Sequence, residues 1–434
     1  MGLAWPGLSA KAQAEVKEEW VRTFTIGQWR NNHANAVHVD KKGNVFVTGY
    51  PAIVKYSPGG RELWNRPVPS RASCMDGRGN LYTAGQYSNT GEYLGKYVIS
   101  KYDNDGELIW QAYYEGPQQY WDSPVAIAVD RRGNVFVTGV SSVRCNMADI
   151  ATVKYSPDGT LLWAARYHGS IKRLDIDCPR AMAVDRQGNV YVAGSFHYAG
   201  FDWRNYAIIK YSTEGEELWV RCYNGPGRGT HSPTALAVDK QGNVYVTGES
   251  RGAGTKVDYA TVKYNSHGRL LWERRYDGPG SGFDRARAMA IDDLGNIFVT
   301  GVSYYDYPPY NDCATIKYSP DGETLWTRRF NGPVNGYDVA NAITVDRWGN
   351  SYITGSSSSD YATVKYNPDG EELWTLYYSG IDNLFDYPTS IVVDNLGNIY
   401  VTGYITTDAW ANYTITDYCT IKYRQHGRIP NYPN

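Results

Sequence analysis

Apolar and polar residues alternate in short runs along almost the whole chain, and the runs come in pairs about a tight turn. In Ala235-Leu-Ala-Val-Asp239-Lys-Gln-Gly242-Asn243-Val-Tyr-Val-Thr-Gly248 two such runs flank an Asp-x-x-Gly-Asn turn. Its glycine supplies the positive φ that a hairpin loop of this length needs. The pattern predicts a β-hairpin. It occurs eight times, with Gly-Asn at 43/44, 79/80, 133/134, 188/189, 242/243, 295/296, 349/350 and 397/398. Most intervals are 53 to 55 residues, with 36 and 48 at the two ends.

A second hairpin follows in each unit, as in Asp360-Tyr-Ala-Thr-Val-Lys365-Tyr366-Asn-Pro-Asp-Gly370-Glu-Glu-Leu-Trp374. Pro at the second turn position and Gly at the fourth suit a type I turn. Lys-Tyr recurs in all eight units, at Lys55, Lys101, Lys154, Lys210, Lys263, Lys317, Lys365 and Lys422. Units of four antiparallel strands repeated at this interval make propeller blades, so an all-β, eight-bladed β-propeller is predicted.

Seven units end on a strand bearing Trp (Trp64, Trp110, Trp163, Trp219, Trp272, Trp326, Trp374), and the eighth breaks off after Lys422-Tyr423. The N-terminal Glu18-Glu19-Trp20-Val21-Arg22-Thr23-Phe24 matches Glu371-Glu372-Leu373-Trp374-Thr375-Leu376-Tyr377-Tyr378, down to the aromatic four residues after Trp. The N-terminal strand is therefore expected to complete the last blade and remove the free edges of an open array. One propeller domain over residues 15–430 follows, behind a leader over 1–14.

From about residue 16 to 423 the chain resembles the SBBP-type β-propeller repeat family, whose consensus reads much like AhAVDxxGNVYVTG followed by DYATVKYxxDGxxxW. The resemblance implies the fold and carries no particular activity. The spacing in Gly159-Thr-Leu-Leu-Trp163 is also similar to the tryptophan-docking pattern of eight-bladed quinoproteins. The adjacent cysteine pair of the methanol-dehydrogenase type is missing, and no cofactor is expected.

Composition narrows the partners. The 39 Tyr, 14 Trp and 45 Gly beside 9 Phe and 5 Met favour strands and tight turns over packed helices. With 43 Lys and Arg against 45 Asp and Glu there is no global positive field, so nucleic acid is not an expected partner. No apolar run approaches the roughly 18 to 20 residues needed to span a bilayer. Ala12-Gln13-Ala14 before Glu15 reads as the tail of a secretory signal, pointing to a secreted or periplasmic protein. The six cysteines show no CxxC pair and no His at ligand spacing, so no metal site is expected. Most read as buried small hydrophobes, Cys74 and Cys222 among apolar strand patterns. Cys145 and Cys178 lie in loop-like segments where a disulfide is open to them.

Residues present in every blade are read first as scaffold. The eight Asp of the Asp-x-x-Gly-Asn turns are expected to accept the turn's N–H groups and to pair with the Lys of their own blade. The Trp are expected to interleave between blades, and the small residues before each Asp to line a crowded centre, with His38 a structural histidine there. Function is sought on the opposite face, where blades differ. Eight residues before the scaffold Asp stand Asn32, Val68, Asp122, Asp177, His231, Asp284, Asp338 and Asp386. Five residues before the Lys stand Asp149, Asn205, Asp258, Asp312, Asp360 and Asp417, a second partly acidic ring. Such rings either bind a cation or sugar hydroxyls, or cap strand starts. Aromatic loops stand beside them, above all in blades 4, 6 and 8. The candidate ligand-binding residues are Trp121, Asp122, Asp177, Trp203, His231, Asp284, Tyr304, Tyr307, Asp338, Asp386 and Trp410, with no catalytic residue and no metal ligand assigned.

No GxSxG, HExxH or Walker loop occurs, and Gly225-Pro-Gly-Arg-Gly229 lies between strands. The expected function is a non-enzymatic binding or scaffold module for a glycan, protein or peptide. The alternative is a carbohydrate-active lyase or hydrolase using His231 or His197 with Asp or Tyr.

Overall fold

The strands of the computed structural model fall where the alternation places them. The structure describes residues 16–26, 31–88, 95–118, 120–144, 147–169, 177–197, 204–280, 282–304, 311–380, 384–410 and 413–425. They form eight four-stranded antiparallel sheets, seven of them built from strands consecutive in the chain. The eighth has the order Tyr387–Val393, Ile399–Trp410, Tyr413–Gln425 and, outermost, Val16–Phe24. Val16 stands opposite Gln425 and Phe24 opposite Tyr418. The innermost strand of each blade packs beside that of the next, and Tyr387–Val393 of blade 8 packs beside His33–Val39 of blade 1, closing the ring. No helix long and apolar enough to cross a membrane is present among the described residues.

Between blades the sheet faces bury Val, Ile, Ala and Tyr, as in the cluster of Tyr245, Tyr259, Trp272, Val299, Ile316 and Tyr318. The rim that carries the Asp-x-x-Gly-Asn turns adds a polar latch. Trp272 Nε1 and Lys263 Nζ both donate to Pro320 O, at 3.0 and 2.8 Å, from the next blade's turn. Trp163 and Lys154 meet on Thr213 O in the same way, Trp219 and Lys210 on Ser266 O, and Trp326 and Lys317 on Pro368 O. Across the closure Trp20 and Lys422 share Pro58 O, both at 3.0 Å. Each ammonium also lies over a ring of its own blade, Lys263 at 4.9 Å from Tyr245. Gly322 shows why the turn needs glycine: its φ is +86°, and a Cβ would come within 2.9 Å of the Trp272 ring.

This corrects the expected Asp–Lys pairing within a blade. Asp239 Oδ1 accepts the N–H groups of Gln241 and Asn243, and Oδ2 accepts Asn243 Nδ2. All eight turns repeat this arrangement, so the carboxylate is consumed locally, while the lysine ties its blade to the next. The Trp readings hold, as does structural His38, whose Nε2 bonds Ser73 Oγ of blade 2 at 2.8 Å. Cys313 and Cys419 are buried, but Cys222 is exposed, because its side chain alternates to the outer face of an outermost strand. The leader and Cys145 lie outside the described residues, so the Cys145–Cys178 pairing stays an expectation.

Candidate functional site

The variable face begins with the two acidic rings: the five aspartates of the first accept backbone N–H groups, and three of the second pair with arginine. Gly116 N–H donates to Asp122 Oδ2 at 2.7 Å, Gly169 to Asp177 at 2.7 Å, Gly278 to Asp284 at 2.6 Å, Gly332 to Asp338 at 2.9 Å and Gly380 to Asp386 at 2.6 Å. All five carboxylates are buried. Burial pushes Asp122, Asp284 and Asp338 above the usual carboxylate range and Asp386 up to about 6, the N–H bonds opposing it. Of the two readings open for these residues, the geometry is that of the strand-start cap. His231 occupies the same slot in blade 5, with Nδ1 2.8 Å from Ser250 Oγ. Burial first, then Arg275, lowers its pKa to about 4.

In the second ring Asp149, Asp258 and Asp312 accept Nη2 of Arg166, Arg275 and Arg329 at 2.7, 2.8 and 2.9 Å. Each of these arginines also donates to a serine of its blade and a tyrosine hydroxyl of the preceding one, as Arg275 does to Ser250 and Tyr223. Asp258, Asp277 and Asp284 bring one oxygen apiece within 4.8 Å of one another. Of the three, Asp258 is held by Arg275 and Asp284 by the Gly278 N–H. Asp149 also meets His168, at 2.6 Å, which places His168 on the variable face as well.

The exposed part of the face is aromatic. Trp121 is 43 % exposed, Tyr337 48 % and Phe385 75 %. Tyr304 donates to or accepts from Tyr337 across a 2.9 Å hydroxyl contact, and burial followed by that bond raises its pKa to about 12. Trp203 and Tyr307 lie outside the described residues. Trp410 ends its strand opposite Tyr413, and its side chain is likewise outside the description, as is that of His197.

The centre of this face holds a set that the sequence reading missed. In seven blades the innermost strand carries a β-bulge that leaves one residue unpaired: Asn35, Val125, Arg180, Thr234, Arg287, Asn341 and Thr389. Bulges re-aim side chains. Here they aim them round the axis: Asn35 Nδ2 donates to Ser70 O, Thr234 to Ala286 O, Asn341 Nδ2 to Pro388 O and Thr389 to Ala34 O, each in the next blade or its entry. Arg287 reaches furthest. Its Nη1 donates to Asn341 Oδ1 of blade 7 at 2.8 Å and to the Tyr387 hydroxyl of blade 8 at 2.7 Å. A side chain of blade 6 meets blade 8 only by crossing the inner edge of blade 7, so Arg287 stands at the channel mouth. Tyr387 also bonds Asn341 at 3.0 Å and stacks on Tyr404 (5.5 Å, 19°), which stacks on His33 (4.2 Å, 27°). Burial holds the His33 imidazole below its usual range. One continuous surface, from Arg287 through Asn341, Tyr387 and Tyr404 to His33, offers planar rings, an amide and a guanidinium together. The signal available in the sequence was a polar, blade-variable position inside an otherwise small-residue strand.

A cleft of about 530 Å³ opens on the opposite rim, lined by His38, Lys41, Lys42, Pro58, Asp394, Leu396 and Lys422 among others. Asp394 and Lys422 are spent on their own turn and on Pro58, which marks this cleft as the gap between latched turns.

Fold and face together define an eight-bladed β-propeller with one uniform rim and one variable rim. Residues 218–254, 325–362 and 373–408 match the model of the SBBP β-propeller repeat, so the repeat resembled in the sequence is present in the chain. Residues 17–205 match a family model described as the outer membrane protein assembly factor BamB. A curated relative, an uncharacterized WD repeat-containing protein of Acanthamoeba polyphaga mimivirus, is 25% identical over 76% of this chain, which spans 30% of that protein's length. Among solved structures, a protein from Lactobacillus plantarum is 12% identical, with a TM-score of 0.48 over 82% of this chain and 97% of its own. Polysaccharide lyase Uly1 is 9% identical, with a TM-score of 0.49 over 81% of this chain and 89% of its own. At these scores the two structures bear on neither mechanism nor ligand.

Proposed function

We propose that the protein is an exported binding or scaffold module that takes a glycan or peptide at the variable-face mouth of its channel and does not turn it over. The observation that carries this reading is the open array of Arg287, Asn341, Tyr387, Tyr404 and His33, whose hydrogen bonds and ring stacks fix it before any ligand arrives. Preformed polar and aromatic surface of this kind suits recognition. Similarity of residues 17–205 to an assembly factor, and export through Ala12-Gln13-Ala14, fit the same reading.

The rival class, a carbohydrate-active lyase or hydrolase, needs an acid and a base within reach of one substrate in a site that excludes water. His231 faces a serine and is buried. The His168–Asp149 pair is the feature that favours the rival, yet Asp149 is held by Arg166 as in two other blades, and the His168 side chain is 59% exposed. A glycan and peptide array screened with the parent and with Tyr337→Ala and Tyr404→Ala tests the proposal. Retention of one ligand class, weakened by both changes, is expected. Chain cleavage of a retained glycan, lost on His168→Ala, would transfer the assignment to the enzyme.

A further inference from the structure

We propose that the channel mouth is a site for a carboxylate-bearing glycan, with Arg287, Arg180 and Arg71 receiving successive carboxylates; this rests on the binding reading above and names its ligand class. In blade 2 the innermost strand begins at Ala72, and Arg71 stands just before it, its N–H on Ala84 O, at the place the bulged residue holds in other blades. The eight mouth positions are then Asn35, Arg71, Val125, Arg180, Thr234, Arg287, Asn341 and Thr389. Three are arginine and none is acidic, in a chain whose net charge is -2.

Among the described residues the three guanidiniums have no anionic partner. Arg71 donates to the amide of Gln86 at 3.2 Å, and Arg287 to Asn341 and the Tyr387 hydroxyl. Arg180 is exposed and bonds no side chain among the described residues. Elsewhere on this face the pattern is the reverse: Arg166, Arg275 and Arg329 are each neutralised by an aspartate. Arg287 is half-buried and Arg71 and Arg180 are exposed; a guanidinium not already paired with an acid keeps its planar donor fork for a carboxylate, and such charge-assisted pairs are the strong ones.

The arrangement also selects between anions. The arginines sit on alternate blades, 2, 4 and 6, round the mouth, so a chain with charge on successive units engages more than one, whereas a compact anion meets one. Between them stand the amides and hydroxyls of Asn35, Thr234, Asn341 and Thr389, and beyond Arg287 the Tyr387–Tyr404–His33 stack. Ring faces beside amide and hydroxyl groups fit pyranose rings. An acidic peptide would want pockets for aliphatic side chains, and Val125 is the one aliphatic residue of the eight. On the same face Arg228 and Arg251 line a shallow cleft of about 600 Å³ in blade 5, extending the positive path outward.

The test uses the full chain against oligogalacturonates, their methyl esters, neutral oligosaccharides and polyglutamate on one array. Expected are retention of the free acid, loss of that retention on esterification or at high salt, and a drop of about tenfold for Arg287→Gln and for Arg180→Gln, the scale of one charged hydrogen bond. Arg180→Gln keeps the fold test clean, because Arg180 bonds no side chain, and its melting temperature should equal the parent's. Equal binding of acid and ester, parent-like binding by both arginine variants, or tighter retention of polyglutamate than of any glycan would overturn the inference. If a neutral glycan binds and Tyr404→Ala abolishes it while the arginine variants bind normally, the binding reading stands and only the acidic ligand falls. If the array holds nothing at all, both fall.

Discussion

The two rims of the ring are made by the same eight strand repeats, yet they spend their charges differently. On the uniform rim every Asp closes its own turn and the lysines reach a neighbouring blade's turn, in most blades the carbonyl that also holds the tryptophan. On the variable rim the buried aspartates accept glycine N–H groups or arginine, while the arginines of the mouth positions have no anionic partner among the described residues. A residue type seen in every blade therefore reports packing, and chemistry is to be looked for where the repeat departs from itself.

Breaking the ring should have the largest effect. A chain lacking residues 1–25 loses the outer strand of blade 8, with the buried Val16, Trp20 and Phe24 and the latch on Pro58. It should melt far below the parent, whereas a chain lacking only 1–14 should match it; equal melting temperatures for the two would defeat the closure. Next comes Trp272→Ala on the uniform rim, a large-to-small core change expected to cost about 3–5 kcal/mol in denaturant titration while leaving ligand affinity intact. On the variable rim the order reverses. Tyr337→Ala, Trp203→Ala, Tyr307→Ala and Trp410→Ala should each weaken binding by about 1–3 kcal/mol. Their melting temperatures should scarcely move. Loss of binding from substitutions at Asp239 or Lys263 in a folded protein would instead put the functional face on the wrong rim.

The smallest expected effect is one of pH. Burial raises Asp386 to about 6, with Asp360 adding to the rise, against an ordinary value of 3.8. The folded state therefore binds the proton more tightly than the unfolded chain. The stability this carries is fully present below about pH 4 and is lost as pH rises through about 6. The fall in melting temperature of the parent across that window should be shallower in Asp386→Asn; an unchanged slope would show that this carboxyl titrates elsewhere.

The fold was legible because turn chemistry and alternation recur at a fixed interval, and because Glu18 to Phe24 copies the missing outer strand. Side-chain partners were less so. Lys263 precedes a turn of its own blade, and no spacing says that its ammonium crosses to Pro320. The acidic ring resembled a ligand site in sequence because five carboxylates share one position; burial, invisible in that pattern, turns them to glycine N–H groups. Arg287 was passed over because a bulge changes where a side chain points without changing the letters around it. Tyr304, read in sequence as a loop aromatic, ends its strand half-buried with its hydroxyl on Tyr337, a contact no spacing in the sequence states.

The closure fixes an order of events during synthesis. Val16 to Phe24 leaves the ribosome before any blade exists, and its partner Tyr413–Gln425 only after the other seven blades have been made. Throughout translation the apolar side of that first segment has no mate, and each completed blade waits with one flank bare for its successor. Such contacts, formed across almost the full chain, are slow to find and prone to strand capture by other molecules. A nascent chain of this design needs its first segment kept solvated, or guarded, until its last has arrived.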